Sequence, residues 1–581
     1  MLTVTACDSV STNDAVGDGS SIVLTALTCN IAGVNSDPFT VADALAENAA
    51  DHEVAGDYTY TAASATTITL TGMSASVIGA GATTSDSVVT VNAPGTYVVT
   101  GALTDGQIVV NSPADGLVQL VLSGASITSS TDSGIRIDEA DRAVLILADG
   151  TTNTVADGAT YPTNVEQNAA IWSDDDLSIG GTGALVVTAS FEDGIASKDG
   201  LVIHGGEITV MAPDEGIRGK EYLVVRGGTL DVTAGGDGLK SDEDADTDLG
   251  YLLIAGGTIT VDAAGDAVTA ETDALLTGGT LALRSGGGAG VTPSDVTSTK
   301  GFKAGVMTVI DNGTLTIDAS DDAVHSAGTV VVNGGMIEIA TADDGFHSDL
   351  ELTINGGDLT VTQSYEGIES VMGNLVVNGG TIDVNATDDG INLSGDGDDP
   401  NGVEGAADPY DMVFNGGRIT ITAGNDGIDS NGSIVMTGGC LAISGPTPGT
   451  RPEQGAIDYN GDFEITGGVV VAAGAAGRMA QTPSVSSPQP TVAITFSSVQ
   501  SAGTLVVVQD GAEALAVEPG KTFQSLVVSA PWLSTGDQVS LYEGGTVTEH
   551  ATGGLYDSGT LSGGTRLETV TVSSSITSVT L

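Results

Sequence analysis

The sequence predicts an all-β chain, built as a right-handed single-stranded parallel β-helix of about 22 residues per coil with a small C-terminal β cap. Three observations lead to this prediction. The chain contains 83 Gly and few aromatic residues, a composition typical of short strands joined by tight turns. A glycine marker recurs at a regular interval, and apolar residues alternate between those markers.

The glycine marker, Gly-Gly or once Asn-Gly, gives the repeat its length. Most steps between successive markers are 22 or 23 residues, and the others are longer by a loop-sized insertion. Insertions that keep the register are how loops extend from a solenoid. The second glycine of each marker lies at positions 206, 228, 257, 279, 313, 335, 357, 380, 417, 439 and 468.

Each repeat carries three apolar stretches, as in Ile195, then Leu201 with Ile203, then Ile208 with Val210. Three strands and three turns in one repeat describe one coil, because alternating side chains of a strand face opposite sides. We expect positive φ at the glycine marker and also at the Asp-Gly turn before the first strand. A propeller blade would need a longer, antiparallel unit.

The repeat divides the chain into three regions. Residues 1–57 form a polar N-terminal region with helical periodicity over Phe39–Ala55, which we expect to cap or precede the first coil. Residues 58–480 form the predicted β-helix. A run rich in Pro and Ser then introduces residues 481–581, predicted as a cap of antiparallel strands.

The charge balance excludes nucleic acids as partners. The chain has 15 Lys+Arg against 76 Asp+Glu and a net charge of −61, so it repels phosphate backbones. General surface acidity for solubility or salt adaptation explains scattered acids equally well. Acids that recur at one repeat position need a separate explanation.

The N-terminus, Leu2-Thr3-Val4-Thr5-Ala6-Cys7, is similar to the end of a bacterial lipoprotein signal, with Cys7 as the lipidated residue. This predicts an extracellular or cell-surface protein whose sole membrane contact is a lipid anchor. The basic and apolar segments of such a signal do not precede Cys7. A free N-terminal cysteine is the alternative, and the sequence leaves the pairing of Cys29 with Cys440 open.

Acidic residues precede the turn glycine or alanine in nearly every repeat, which predicts a column of carboxylates along the stacked coils. Stacked carboxylates repel, and oxygen-only ligands at variable geometry suit Ca²⁺. Two inserted turns, Asp242–Asp248 and Asp396–Glu404, concentrate further acids. Capping of turns and solvated acidic loops are the alternatives. The candidate calcium ligands are Asp193, Glu215, Asp237, Asp242, Asp244, Asp246, Asp266, Asp344, Asp389, Asp396, Asp398 and Asp426.

Basic residues are scarce, yet Lys198, Arg218, Lys220 and Lys240 occur close together in consecutive repeats. Their positions relative to the column acids predict that they flank the column. They are the candidate ligands of a carboxylated sugar chain, which Arg and Lys grip and calcium bridges. Simple neutralisation of the column by salt bridges explains the same spacing equally well.

Several segments resemble the bacterial family of carbohydrate-binding domain-containing proteins over roughly residues 58 to 580. The most specific are Ala93–Gly101, Asp105–Val110, Asn168–Ser173 and Gly236–Ser241. The resemblance implies a calcium-containing right-handed β-helix, similar in shape to pectate lyases, that binds plant cell-wall polysaccharide such as polygalacturonate. The coil at Asp266 and the long step that follows it are less faithful to the family pattern.

Three functions follow as expectations. The first is non-catalytic extracellular binding of an acidic or other cell-wall polysaccharide, with calcium. The second is a calcium-dependent polysaccharide lyase with Lys198, Lys220 or Lys240 as base. The third is a calcium-stiffened adhesin or scaffold. Trp172, Tyr222, Tyr251 and Tyr365 are candidate sugar-stacking rings, with burial in the solenoid as the alternative.

Overall fold

A computed structural model describes residues 21–293, 296–395, 407–450, 454–477 and 480–581. The chain is all-β with a large parallel sheet, as predicted. The helical elements in these ranges are one α-helix, Val41–Leu45, and one 3-10 turn, Ala62–Ser64. No helix in the described ranges is long and apolar enough to cross a membrane.

The chain divides into two compact units, one of residues 35–375 and one of residues 1–34 with 376–581. We call them the central unit and the terminal unit. Within each, a strand pairs in parallel with the strand three places further along the chain. The strands therefore form three parallel ladders, named A, B and C in chain order within each repeat.

The central unit contains most of the regular repeats. Ladder A consists of Ala169–Ser173, Asp193–Ser197, Ile217–Gly219, Leu239–Ser241, Val268–Ala270, Phe302–Ala304, Val324–Ser326, Phe346–Ser348 and Ile368–Ser370. Ladder B consists of Leu177–Gly181, Gly200–Ile203, Tyr222–Val225, Tyr251–Ile254, Asp273–Leu276, Met307–Ile310, Thr329–Val332 and Leu352–Ile354, with Leu375–Val377 at the unit boundary. Ladder C consists of Thr152–Ala156, Ala184–Thr188, Glu207–Ala212, Thr229–Ala234, Thr258–Ala263, Thr280–Ser285, Thr314–Ala319, Met336–Thr341 and Asp358–Ser364.

The register of the ladders follows the predicted repeat. Ile195 pairs with Ile217, 22 positions on, and Leu239 pairs with Val268 across an insertion. Inward-facing residues such as Ile195 are fully buried, and equivalent apolar side chains stack along the core. The alternation of apolar residues in the sequence therefore correctly predicts which side chains of each strand face the core.

Earlier strands of the central unit are less regular and range from four to 22 residues in length. They are Thr66–Gly72, Ala75–Ile78, Ala82–Ser85, Val88–Val91, Gly95–Leu103, Gln107–Thr128 and Ile135–Leu147. The hairpins Thr66–Gly72 with Ala75–Ile78 and Ala82–Ser85 with Val88–Val91 are antiparallel. Parallel pairing dominates from Gly95–Leu103 onward.

The turn glycines act in two ways. The second glycine of every marker has positive φ, for example +97° at Gly228, so that part of the prediction is confirmed. The expectation of positive φ at the Asp-Gly turn is wrong, because Gly194 and Gly216 do not have it. A Cβ at Gly194 would instead overlap the Val210 side chain, so close approach of the chain favours glycine there.

Residues 35–61, which we call the N-terminal strap, lie along the outside of ladder B. Val41 N donates to Asp311 Oδ2 (3.2 Å), and Tyr251 Oη donates to the Ala49 carbonyl (3.0 Å). Further along, Arg142 pairs with Asp57 (2.8 Å). The helical periodicity over Phe39–Ala55 is thus a short helix on the flank of the coils, and it does not cap the first coil.

The terminal unit continues the three-ladder pattern. Ladder A has Ile391–Leu393, Ile428–Ser430 and Ile457–Tyr459; ladder B has Asp411–Phe414, Ser433–Met436 and Phe463–Ile465; ladder C has Thr381–Ala386, Arg418–Ala423, Cys440–Ser444 and Val469–Gly474. The last ladder C strand pairs antiparallel with Phe523–Ser529. The remaining strands of this unit are Ser21–Leu24, Thr491–Gln500, Val506–Asp510, Glu513–Val517, Gln538–Glu543, Thr546–Val547, Gly559–Ser562, Thr565–Thr571 and Ile576–Thr580.

Pairing after residue 490 is mostly antiparallel. Glu513–Val517, Val506–Asp510, Gln538–Glu543 and Thr565–Thr571 form a four-stranded antiparallel sheet in that order. Ser21–Leu24 pairs with Gly559–Ser562. Cys29 and Cys440 form a disulfide, a pairing that the sequence left open.

Candidate functional site

The predicted acidic column is present at the start of the ladder A strands. Its carboxylates accept hydrogen bonds from the backbone of the next coil, not from their own turn. Glu215 Oε2 accepts from Asp237 N (2.7 Å), and Asp237 Oδ1 accepts from Asp266 N (2.8 Å). In the terminal unit, Asp389 Oδ1 accepts from Asp426 N (2.7 Å). Each column acid therefore fixes the position of the coil that follows.

A second column lies beside the first, three residues further along each coil. In the central unit this neighbouring column is rich in basic side chains, namely Arg218, Lys240, Lys303, His325 and His347. The intervening ladder A residue, such as Ile217, faces the core, and strand alternation turns the next side chain outward. The two columns are therefore adjacent on the outer surface.

The cationic side chains are paired with the column acids. Lys240 Nζ lies 2.6 Å from Glu215 Oε1 and 2.9 Å from Asp237 Oδ2. Lys303 Nζ lies 2.9 Å from Asp266 Oδ2. Positive groups thus already lie between the carboxylates at the positions where the sequence predicted calcium.

Arg218 and His347 make the same kind of contact. Arg218 Nε lies 3.4 Å from Asp193 Oδ2, and its Nη1 donates to Asp242 Oδ2 (3.1 Å). His347 Nδ1 lies 3.0 Å from Asp344 Oδ2. Burial, together with the Glu215 and Asp214 carboxylates, raises the pKa of Asp193 to about 7 even beside Arg218. The pKa of His347 is raised to about 11, because the bonds to Asp344 and Glu369 outweigh its burial.

One coil reverses the charge of the column. Lys300 stands at the column position, immediately before Gly301, and its Nζ lies 2.8 Å from Asp321 Oδ1 and 2.7 Å from Asp322 Oδ2. The long insertion before Lys300 obscures the alignment of this repeat, so the sequence did not predict a lysine at the column position. Lys300 occupies the cluster that Asp321, Asp322 and Asp343 would otherwise offer to a metal.

The terminal unit carries a different arrangement. There the neighbouring column holds Asp429, so the carboxylate oxygens of Asp389, Asp426 and Asp429 converge within 4.8 Å of one another. Burial and the adjacent carboxylates raise the pKa of Asp389 to about 7 and that of Asp426 to about 8. A set made of oxygen donors alone matches the ligand preference of Ca²⁺. These three residues fit calcium better than the cation-paired column does.

The acids of the predicted inserted turns do not all come together. Asp242 bonds Arg218, whereas Asp244 is exposed and Asp246 Oδ1 accepts from Asp248 N (3.1 Å) within the turn. Asp396 and Asp398 lie outside the described residues, as does Cys7. A metal role for all these acids stays a prediction.

Three of the four predicted sugar-binding residues line one cleft of about 800 Å³ in the central unit. We call it the aromatic cleft, because Tyr161, Trp172 and Phe191 also line it. The rings of Tyr161 and Phe191 stack with centroids 4.5 Å apart. The basic residues in the cleft are Lys198, Arg218 and Lys220.

The lysines of the cleft are half-exposed ion pairs. Lys198 Nζ lies 2.8 Å from Glu166 and 2.7 Å from Asp174, and Lys220 Nζ lies 2.7 Å from Glu243. Such exposed pairs are weak and exchange partners readily. Lys240 is separate, in a smaller charged cleft that it shares with Asp237, Asp242, Asp266 and Lys303.

Sequence reasoning missed Tyr161, Phe191 and the basic residues of the neighbouring column beyond Lys240. The basic residues could have been found from the sequence, because the residues three positions after the column acids include His325 and His347. Tyr161 belongs to an insertion and has no repeat position. Of the candidate stacking rings, Tyr222 and Tyr251 are buried against each other near the strap. Trp172 borders the aromatic cleft, but its side chain is buried as well.

Comparison with known proteins assigns a family. The model of the family described as "Carbohydrate-binding domain-containing protein" matches residues 85–345 and 342–516. A protein of Acetivibrio thermocellus with the same description is 38% identical over 136 residues. That match spans 23% of this chain and 48% of the relative, so the chain covers about half the length of that protein.

A solved structure is also similar in sequence over part of the chain. It is described as the gadolinium derivative of a polysaccharide lyase-like protein from C. thermocellum. It shares 33% identity, covers 37% of this chain and 90% of its own, and has a TM-score of 0.36. Because the family model matches most of the chain, this protein belongs to the family of carbohydrate-binding domain-containing proteins.

Proposed function

We propose that this protein binds an acidic polysaccharide of the polygalacturonate type in its aromatic cleft, outside the cell and without cleaving it. The observation that carries the proposal is the composition of that cleft. Three of the 15 basic residues of a chain with net charge −61 line one concave surface together with three aromatic rings. Family membership supports a carbohydrate ligand.

The cleft chemistry favours a carboxylated sugar. Lys198 and Lys220 are half exposed at their ammonium ends, and a sugar carboxylate can replace Glu166 or Glu243 as their partner. Arg218 has five N–H donors, of which Asp193 and Asp242 use a part. Tyr161 and Phe191 supply apolar surface for the pyranose rings, with the buried Trp172 behind the cleft wall. The net negative charge elsewhere on the chain disfavours other binding positions for such a ligand.

The protonation of the lysines supports binding over catalysis. A lyase base must lose its proton near neutral pH. The hydrogen bonds and charges of Asp174 and Glu166 raise the pKa of Lys198. The Glu215 and Asp237 carboxylates raise the pKa of Lys240 although burial opposes them. Both ammonium groups are therefore suited to holding an anion rather than accepting a proton.

We also propose that the fold is a right-handed single-stranded parallel β-helix. It is supported by the parallel pairing of each strand with the strand three places later. Connections between parallel strands of one sheet are right-handed in about 98% of cases. The stacked coils would present the cleft residues from consecutive repeats to successive sugar units.

Calcium is proposed as the cofactor of the terminal unit, at Asp389, Asp426 and Asp429. The convergence of these oxygens supports the assignment. Calcium should raise the midpoint of thermal unfolding, with chelator as the reference, and Asp426→Asn should lose most of that increase. Asp383→Asn, an outward acid on ladder C of the same unit, is the matched control. Equal calcium responses in the wild type and Asp426→Asn would contradict the assignment.

An extracellular or cell-surface location is proposed, with lipidation of Cys7. The disulfide between Cys29 and Cys440 supports it, because disulfides persist in oxidising compartments. Mass spectrometry of the native N-terminus should show acyl chains on Cys7. An unmodified N-terminal segment would contradict the anchor.

Calorimetric titration with trigalacturonate tests the main proposal. Lys198→Gln and Lys220→Gln should each weaken binding by about three- to tenfold, since each removes one charge-assisted contact. Arg284→Gln removes an equally exposed charge of the central unit outside the cleft and should bind like the wild type. Equal affinity of all variants for trigalacturonate would refute the aromatic cleft as the binding site. Release of unsaturated products would favour the lyase, and absence of glycan binding would favour the scaffold.

A further inference from the structure

The terminal unit contains a second cleft, of about 420 Å³, which holds the other tryptophan of the chain. Trp532 and Pro531 form one side, and Leu27 and Val469 add apolar surface. This volume is within the range of small-ligand sites, about 300 to 1,000 Å³. We call it the Trp532 cleft. Both tryptophans of the chain thus line clefts, one in each unit.

Trp532 is partly exposed in this cleft and also packs against the apolar core of the unit. Its Nε1 is buried and makes no hydrogen bond within the described part of the chain, so the exposed part of the side chain is ring carbon. The apolar face of a pyranose ring packs on such a surface. Gly438, Gly439 and Gly468 line the cleft as well, and their lack of side chains leaves room for a flat ring.

The polar groups of the cleft are suited to hydroxyls. Thr25 Oγ1 donates to Glu513 Oε2 (2.7 Å) and accepts from Ala514 N (2.8 Å). Thr28, Asn30 and Thr437 add a hydroxyl or amide group each. A carboxylate has about four lone-pair positions for hydrogen bonds. Glu513 can therefore bind sugar hydroxyls while it holds Thr25.

The charge of the cleft determines the class of sugar. Of the described residues that line it, Glu513 is the single charged one, and it is negative. A uronate would be repelled by Glu513 and by the acidic chain as a whole. The aromatic cleft, by contrast, contains three basic residues against two acidic ones, Glu166 and Glu192. The two clefts are therefore complementary to different ligands.

The disulfide defines one wall of the cleft. Residues 25–28 and Asn30 line it, and Cys29 between them is bonded to Cys440, next to Gly439. Backbone bonds add to the attachment, as Thr25 N donates to Ala514 O (2.8 Å) and Leu27 N donates to Asp557 O (3.0 Å). The wall is thus covalently and non-covalently held in place before a ligand arrives, which lowers the entropic cost of binding.

From this geometry we infer that the Trp532 cleft is a second saccharide site, which takes a neutral, uncharged sugar chain by stacking a ring on Trp532. The inference rests on the proposed function in assuming that the protein binds carbohydrate. It adds a second ligand class on the other unit. A protein with both sites would bind composite polysaccharide material through two chemically different components.

The two tryptophans provide a site-specific test, because each reports on its own cleft. The Trp172→Phe variant of the full chain has Trp532 as its one tryptophan, and Trp532→Phe has Trp172. Cellotetraose or xylotetraose should change the fluorescence of Trp172→Phe in a saturable manner and leave that of Trp532→Phe unchanged. Trigalacturonate should give the opposite pattern.

Calorimetry completes the test. Trp532→Ala should weaken neutral-sugar binding by about tenfold or more, because the stacking surface is lost, while Trp532→Phe should retain most of it. The inference would be overturned if Trp532→Ala bound the neutral sugar as tightly as the wild type. It would also be overturned if the neutral sugar altered the emission of Trp172 alone. If trigalacturonate still binds in those cases, the proposed function stands. Absence of binding by trigalacturonate as well would overturn both.

Discussion

At the scale of single residues, the outer surface of ladder A is a set of carboxylate and cation pairs that link one coil to the next. A column acid accepts a backbone hydrogen bond from the following coil, as Glu215 does from Asp237, and a cation such as Lys240 offsets the charge. Both interactions cross the boundary between repeats. The acidic column is therefore part of what orders the stack, whether or not metal binds elsewhere.

Removal of Lys240 should be costly, because it leaves Glu215 and Asp237 facing each other while partly buried. We expect Lys240→Met to lower the free energy of unfolding by about 2 to 4 kcal/mol. Lys220→Met is the control: its half-exposed pair with Glu243 should contribute about 0 to 1 kcal/mol. Urea unfolding followed by circular dichroism measures both. Similar values for the two variants would contradict a structural role for the cation column.

At the scale of elements, each coil depends on one turn whose geometry suits glycine. Gly228 has φ of +97°, and a Cβ there would lie 2.7 Å from the Gly206 carbonyl of the previous coil. The adjacent Gly227 has no such φ, and its Cβ would meet His204 O at 3.5 Å, an ordinary contact. The two glycines of one marker therefore have different roles.

Substitution of the two glycines separates these roles. Gly228→Ala should destabilise the protein by about 1 to 2 kcal/mol from the left-handed backbone alone, and by more from the close approach. Gly227→Ala should change the stability by less than about 0.5 kcal/mol. The midpoint of thermal unfolding provides the comparison. If Gly227→Ala proved the more damaging, our assignment of the strained position would be wrong.

The N-terminal strap is the second element that the stack depends on. It covers a stripe of outward apolar residues on ladder B, including Val224, Leu275 and Val309, all fully buried. Glu53 fastens it through Arg226 Nε (2.6 Å) and His204 Nδ1 (2.6 Å). Although burial opposes it, hydrogen bonds with Arg226 and His204 lower the pKa of Glu53.

The lowered pKa of Glu53 determines how its contribution changes with pH. A carboxyl with a depressed folded-state pKa stabilises above its unfolded pKa and loses that contribution as pH falls through the folded value. The unfolding midpoint should therefore fall less for Glu53→Gln than for the wild type between about pH 5 and pH 3. Glu207→Gln, at an exposed position on ladder C, should follow the wild type. If the unfolding midpoint of Glu53→Gln fell as much as that of the wild type, the proposed contribution of the Glu53 carboxylate to stability would be excluded.

At the scale of the whole molecule, the first described residues are attached to some of the last. Ser21–Leu24 pairs with Gly559–Ser562, and Cys29 joins Cys440 over a sequence separation of 411. Both links lie within the terminal unit, and the disulfide constrains the unfolded chain as well as the folded one.

Loss of the disulfide should lower the free energy of unfolding by about 2 to 5 kcal/mol. Replacement of both cysteines by Ser, or reduction of the wild type, should also make residues 21–34 more accessible to protease. Addition of reductant to the Cys29→Ser/Cys440→Ser variant should have no further effect. Unchanged stability after verified reduction would show that the backbone pairing of this segment is sufficient.

The sequence by itself determined the all-β class, the repeat length, the inward residues and the acidic column. These are local or periodic properties: alternation fixes which face of a strand is apolar, and parallel pairing turns one repeat position into a column. The positive φ of Gly228 was predictable for the same reason. The crowding at Gly194 was not, since it depends on Val210 in the same coil.

The tertiary structure alone decided what each charged and aromatic residue meets. Residues far apart in the chain are joined in the strap, the Cys29–Cys440 disulfide, the Tyr161 insertion at the aromatic cleft and the Trp532 cleft. No periodicity of the sequence predicts such contacts. The pairing of Lys240 with its column acids was also decided by the tertiary structure, because the spacing was equally consistent with a ligand site. Repetition reveals which positions stack, whereas each cleft also needs an insertion or a terminal segment, which does not repeat.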